Sequence, residues 1–224
     1  MHLSLRARTC CVLFGSVALT LAAVTPAVAT GDDPPPAQPA PAAPGPEGGG
    51  APAEWPPADT GGAWLPVPPE IAEMEQAVQA CGSTVVISPG DVAEVEYQAM
   101  HQPDGTIRIE FRGAATTDVT RESDGAVLDE LDTGGPATDI ISADGATVTY
   151  SADGPAIIGA FDEVEVAAFA GQGLPPLFYY TSGNTTERVV FEDVETFVVA
   201  SAEFLTDTAR GVQDVCDMLD AAAG

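Results

Sequence analysis

The stretch that decides how this chain folds is Val92-Ala93-Glu94-Val95-Glu96-Tyr97-Gln98-Ala99-Met100, then His101-Gln102-Pro103-Asp104-Gly105-Thr106, then Ile107-Arg108-Ile109-Glu110-Phe111-Arg112. Ala93, Val95, Tyr97 and Ala99 fall on one side of an extended chain, and Glu94, Glu96 and Gln98 on the other. Ile107, Ile109 and Phe111 then alternate with Arg108, Glu110 and Arg112. Successive side chains of a strand point to opposite faces, so each run has one apolar and one polar side. Two such runs joined through Pro-Asp-Gly predict an antiparallel hairpin. On its polar side Glu94 and Glu96 are expected opposite Arg108 and Arg112, because opposite charges stabilise cross-strand pairs.

Working outward toward the C-terminus, Asp-Gly turns recur at 124–125, 144–145 and 153–154. The runs 116–121, 126–131, 137–142 and 146–151 between them read as strands. Tyr179-Tyr180, Thr186 to Phe191 and Thr196 to Phe204 read as three more. Short strands at this spacing predict a mainly β fold, an antiparallel sandwich or an open barrel. Segment 162–170 reads two ways: Asp162 with Glu165 resembles a capping box, yet Val164, Val166 and Ala168 also alternate. Val212, Val215, Cys216 and Leu219 fall on one helical face, so a C-terminal helix is expected to close the domain. Toward the N-terminus, Ile71, Met74, Val78 and Cys81 have helical spacing after Pro68-Pro69 and predict a short helix.

The segment before this domain is of a different kind. Arg6 and Arg8 precede an apolar run from Cys11 to Val24, and Ala27-Val28-Ala29 is a small-x-small cleavage pattern. Residues 1–29 therefore read as a signal peptide for the general secretory route, and the mature chain is expected to be secreted, extracellular and not inserted in a membrane. Cys10 and Cys11 stand at the start of the apolar run rather than after it, where lipidation does not occur. Residues 30–69 read as a disordered spacer rich in Pro, Gly and Ala, partly polyproline II, leaving 70–224 as an acidic β-rich domain. Such a spacer either holds the domain away from what its N-terminus meets or is a plain tail. It contains both tryptophans, Trp55 and Trp64, and 55–68 is expected to dock on its own domain or on a partner.

Once the signal peptide leaves, Cys81 and Cys216 are the remaining cysteines, one at each end of the domain. In an exported chain such a pair is expected to form a disulfide. The net charge is −27, with seven arginines and no lysine against 34 acids. That field disfavours nucleic acid and anionic membranes as partners. Cations, basic proteins or amines suit it better, and the acidity also serves solubility.

The early Cys81, the hairpin, Thr117-Asp118-Val119-Thr120 running into Ser123-Asp124-Gly125, Gly134-Gly135-Pro136, and the closing Ala209-Arg210-Gly211-Val212-Gln213-Asp214-Val215-Cys216-Asp217-Met218-Leu219 together resemble a family of small, uncharacterised secreted actinobacterial proteins. The resemblance covers about residues 81–220 and implies an extracellular β-rich domain with one disulfide. It implies no activity and carries no catalytic residues.

The side chains limit the chemistry. His101, the one histidine outside the signal peptide, sits beside a turn and reads as an exposed loop residue. A Ser-His-Asp triad, a histidine-based zinc site, Schiff-base chemistry and a cysteine nucleophile each lack a required member. Carboxylate chemistry remains. Acids at Asp162, Glu163, Glu165, Glu192, Asp193 and Glu195 could pair for glycoside hydrolysis, though sugar sites favour tryptophan platforms, which this domain lacks. Calcium needs six to eight oxygens, and Glu192, Asp193 and Glu195, or Asp129, Glu130 and Asp132, would supply several. No other cofactor is expected. Three functions stay open. The first is a secreted non-catalytic module that binds a protein or small molecule. The second is a carrier of a small apolar ligand, lined by Tyr97, Phe111, Tyr150 and Phe178. The third is a carboxylate-based hydrolase.

Overall fold

The computed structural model describes residues 56–224; residues 1–29, expected to be a signal peptide, Trp55 and the first part of the expected spacer lie outside them. In chain order the elements are β1 (Leu65–Pro66), α1 (Pro69–Ala72), β2 (Gln76–Ala80), β3 (Ser83–His101), β4 (Ile107–Arg121) and β5 (Val127–Asp132). Then come β6 (Ala137–Ile141), β7 (Thr147–Asp153), β8 (Ala156–Gly159), α2 (Glu163–Gly171) and β9 (Leu177–Tyr180). β10 (Asn184–Asp193), β11 (Val198–Asp207), β12 (Gln213–Asp214) and α3 (Val215–Ala223) complete the chain.

The hairpin forms and runs further than its alternation indicated, from Val85 opposite Arg121 to His101 opposite Ile107. Val95, Tyr97, Ala99, Ile109 and Phe111 face inward. Glu96 stands opposite Arg112 and bonds it at 2.8 Å. The second expected pair does not form: Glu94 lies opposite Ala114 and Arg108 opposite Met100, so Arg108 joins Glu110 of its own strand.

The large sheet has the order β1-β3-β4-β6-β7-β10-β11, with β2 added to β3 and β5 to β4; its two ends do not meet, so it is not a closed barrel. β8, β9 and β12 form a separate sheet. Every residue of β8 and β9 is buried, as expected of strands covered on both faces and written as continuous apolar runs. Ile158, Phe178 and Tyr180 pack with Tyr97, Ile109 and Phe111. From the opposite side, Ile157, Leu177 and Tyr179 pack with Val78, Val85, Val119 and with Val215 and Leu219 of α3. The small sheet is thus wedged between the two halves of the long β3–β4 hairpin.

Three local expectations resolve or change. The helix expected over Ile71, Met74, Val78 and Cys81 stops at Ala72, and Gln76, Val78 and Ala80 alternate inward on β2. The two-residue loop from β2 to β3 is Cys81-Gly82, with φ of 55° and 70°, as a type I′ hairpin turn requires. Segment 162–170 is helical: the Asp162 carboxylate accepts the N–H groups of Val164 and Glu165, and Glu165 and Phe169, one turn apart, are the buried pair. Val212 precedes the last helix and is exposed, while Val215 and Leu219 are buried and Asp214 caps.

Cys81 and Cys216 are joined across 135 residues of sequence. The fold also begins before residue 70. Thr60 donates to Ala99 O and Val67 to Val95 O, each at 3.0 Å, Leu65 stands opposite Tyr97, and Val67 is buried. A Pro-rich segment can serve as an edge strand because its missing N–H groups are not needed on the outer side.

Candidate functional site

Residues 116–118 of β4 are flanked by irregularities on both sides. On the β3 side the register jumps from Pro89 opposite Thr117 to Ala93 opposite Ala115, so Gly90, Asp91 and Val92 crowd against Thr116. On the β5 side it jumps from Leu128 opposite Val119 to Leu131 opposite Thr117, so Asp129 and Glu130 together face Asp118. Extra residues on one strand bend it and free side chains for other work.

Glu130 holds both bulges. Its backbone has φ of 54°, a region few non-glycine residues occupy. One carboxylate oxygen accepts the Asp91 N–H at 2.7 Å, and the other accepts the Thr116 hydroxyl. Its own N–H donates to Asp118 Oδ1 at 2.8 Å, and Thr116 Oγ1 accepts the Val92 N–H at 3.0 Å. Gly90 is required here, since a Cβ would stand 2.5 Å from Thr116 Oγ1 and 2.7 Å from Glu130 Oε1.

The bulges create two surfaces. On one, a carboxylate oxygen from each of Asp118, Asp129 and Glu130 lies within 4.8 Å of the others. The Asp118 charge, then desolvation, Glu130 and Asp91 push the Asp129 carboxyl above the usual range. On the other, a cleft opens with walls of Met74, Ile87, Val92 and Val95 and polar edges at Gln76 and Thr116. Gln76 is 6% exposed and its Oε1 accepts no hydrogen bond, a state that costs about 1–3 kcal/mol for a buried polar atom.

The acids singled out by sequence are placed differently. Glu192 and Asp193 at the end of β10 and Glu195 in the turn to β11 are exposed. There the Asp193 carboxylate accepts the Thr196 hydroxyl and the Glu195 N–H, bonds that also lower its pKa. It closes the turn. Asp132 accepts the Gly134 N–H at 3.0 Å, and Asp118 takes the place expected of it beside Asp129 and Glu130. Trp64 docks on its own domain, with the Arg112 guanidinium 4.0 Å from its ring centre. His101 is exposed and ties down the N-terminal segment ahead of β1, donating its backbone N–H to Asp59 and placing Nε2 3.0 Å from Pro57 O. Tyr97, Phe111 and Phe178 share one core cluster, whereas Tyr150 packs in another with Val148, Val189 and Phe191.

Three buried acids went unnoticed as a set. Asp139 is 2% exposed, Glu165 2% and Glu187 3%. Burial raises the Asp139 carboxyl well above its ordinary range and lifts Glu165 to about 7. The signal was available: Asp139 shares the side of Ala137 and Ile141, and Glu187 that of Thr185 and Val189. Strict alternation places both inside. No protein-family model, curated protein or solved structure matches the chain.

Proposed function

We propose that this chain is an exported, non-catalytic binding module whose ligand sits in the cleft at the paired bulges. The unpartnered Gln76 oxygen at the edge of that cleft carries the reading. It is a buried acceptor beside an apolar wall, the pairing that small-molecule sites use to fix one hydrogen bond within a hydrophobic contact. The bulges are tied by side chains of β4 and β5 and by backbone N–H groups of β3, so the cleft is formed before a ligand arrives. The matching ligand is small, largely apolar and carries one donor. Export is supported by the leader-like residues 1–29 and by the disulfide, which belongs to an oxidising compartment. Among the described residues the groups that acyl-transfer chemistry would recruit have other duties: both cysteines are cross-linked and His101 holds the segment at 57–59.

The test uses Nile red, a neutral apolar dye, with the mature protein. Its fluorescence is expected to rise on binding, and Ala93→Trp, at an exposed position lining the cleft, is expected to abolish the rise. Equal enhancement with the variant would remove the cleft as the site.

The convergence of Asp118, Asp129 and Glu130 favours a second ligand, a hard cation such as calcium, at the bulges. Native mass spectrometry before and after chelation separates the two. Mass lost on chelation belongs to the acids, and mass that survives chelation but leaves on unfolding belongs to the cleft.

A further inference from the structure

We infer that the cleft receives one residue of an extended, basic peptide segment, which adds a short strand to the open edge of β3. This rests on the cleft reading above and names what carries the apolar group and its donor. β3 has β4 along one side. On its other side β2 pairs with Ser83 to Ile87, β1 pairs with Glu96 and Tyr97, and Val67 donates to Val95 O. Between these two ladders the chain leaves the edge through 68–75, which includes α1. Among the described residues none of 68–75 hydrogen-bonds to 88–94. Residues 88–94 are thus an unpaired window in the edge, at most about 23 Å long at strand spacing. The sequence explains the gap. Pro68 and Pro69 have no N–H to continue the ladder beyond Val67, and Pro89 offers none from β3.

The window and the cleft are the same place: Met74, Gln76, Ile87, Pro89 and Ala93 all line the cleft. Main-chain groups two residues apart in a strand point to the same edge. Val95 O accepts on this edge, so the N–H and C=O of the exposed Ala93 point into the window. The Asp91 and Val92 N–H groups are already taken, by Glu130 and Thr116. A strand paired with Ala93 sets one apolar side chain into the cleft and one N–H toward the unpartnered Gln76 Oε1. In strand addition, main-chain bonds supply affinity and a side-chain pocket supplies choice. The charge around the window selects the partner. Glu70, Glu73, Glu75, Asp91 and Glu94 are exposed, each within two residues of a lining residue. None of them joins a salt bridge, and residues 65–100 contain neither arginine nor lysine. A second copy of this chain, at a net charge of −27, would be repelled. A basic segment matches the rim, and complementary charge speeds its arrival.

The test is isothermal titration calorimetry of the mature protein with a capped pentapeptide of alternating arginine and leucine. Two analogues run beside it, one N-methylated at both leucines and one with glutamate in place of arginine. The parent is expected to bind about tenfold more tightly than the N-methylated analogue, the worth of one or two neutral hydrogen bonds. It is also expected to outbind the glutamate analogue, to displace Nile red and to slow amide exchange at Ala93. Glu73→Gln combined with Glu75→Gln changes only exposed side chains, so it should fold, which circular dichroism checks. It is expected to weaken the parent peptide and leave Nile red fluorescence unchanged, while Glu195→Gln, in the β10–β11 turn, alters neither. Equal binding of the parent and N-methylated peptides, affinity indifferent to Glu73→Gln with Glu75→Gln, or Nile red binding without peptide binding would each overturn strand addition and leave the cleft standing. Nile red enhancement equal in wild type and Ala93→Trp would instead remove the cleft, and this inference with it.

Discussion

The carboxylate of Glu130 accepts the backbone N–H of Asp91, 39 residues earlier in the chain, at 2.7 Å, while its own backbone sits at φ of 54°. A side chain on a strained residue of one bulge therefore sets the position of the other. Glu130→Ala loses the bonds to Asp91 and Thr116 and keeps the strain, so it should destabilise by about 1–3 kcal/mol. Glu130→Gly loses the same bonds but relieves a left-handed conformation that costs about 1–2 kcal/mol, so it should be the milder change. Urea unfolding midpoints of the two variants check this; equal losses would show that the backbone carries no strain.

The buried acids give the stability an acid optimum. The Glu165 carboxyl stands at about 7 in the fold against 4.5 for a free glutamate, chiefly through burial. A value raised by folding favours the protonated form. Its contribution is complete below 4.5 and is lost as the pH rises through 7, by on the order of 3 kcal/mol. Asp139 acts in the same direction. Asp59, Asp104, Asp124, Asp144 and Asp193 are lowered from 3.8, so their contribution disappears as the pH falls below that value. Maximal stability is therefore expected near pH 4 to 5. Unfolding temperatures recorded from pH 3 to 8 should fall on both sides, and Glu165→Gln should flatten the alkaline side.

Trp64 fastens the first strand through its contact with Arg112, itself held by Glu96. At a partly exposed site a cation–π contact is worth about 0.5–1 kcal/mol. Trp64→Ala is expected to cost little in global stability but to speed proteolysis within 56–67, read by mass spectrometry of timed digests. Cleavage at the wild-type rate would mean that the backbone bonds from Thr60 and Val67 suffice.

The cross-link should matter far more. Closing a loop of 135 residues restricts the unfolded chain by an amount the entropy model puts at about 4–5 kcal/mol, an upper figure. Replacing both cysteines with serine should lower the urea midpoint sharply, and a reducing agent should do the same to the wild type. A loss below about 1 kcal/mol would place the constraint elsewhere, such as the Arg121 bridge to Asp220 of α3.

What could be read from the sequence follows from periodicity. β3, β4, β6, β7 and β10 alternate because one face of each is buried and the other wet, and the final helix shows its stripe in Val215 and Leu219. β8 was missed because Ala156–Gly159 is buried on both faces and does not alternate. The supposed helix at 71–81 arose because Ile71, Met74, Val78 and Cys81 meet helical spacing by coincidence, while a buried glutamine, Gln76, obscured the strand. The proline content of 56–69 hid an edge strand that needs few donors. The acids at the bulges were beyond reach for another reason. Asp118 meets Asp129 and Glu130 only because the β4–β5 register slips there, and register slips leave no mark in composition. Asp129 and Glu130 were named as possible ligands, but with Asp132 rather than with Asp118.

The bond between Cys81 and Cys216 also decides how the protein behaves under load. Pulled by its two ends, the chain transmits tension through the sulfur atoms and bypasses every residue between them. The bulges, the small sheet and the buried acids lie inside that shielded loop. Only the segment before Cys81, with its edge strand, and the last turns of α3 can be drawn out. A molecule tethered by one end and gripped by the other would thus stretch by a short, fixed length and then stop, the acids at the bulges still in place but the cleft stripped of Met74 and Gln76, which precede Cys81.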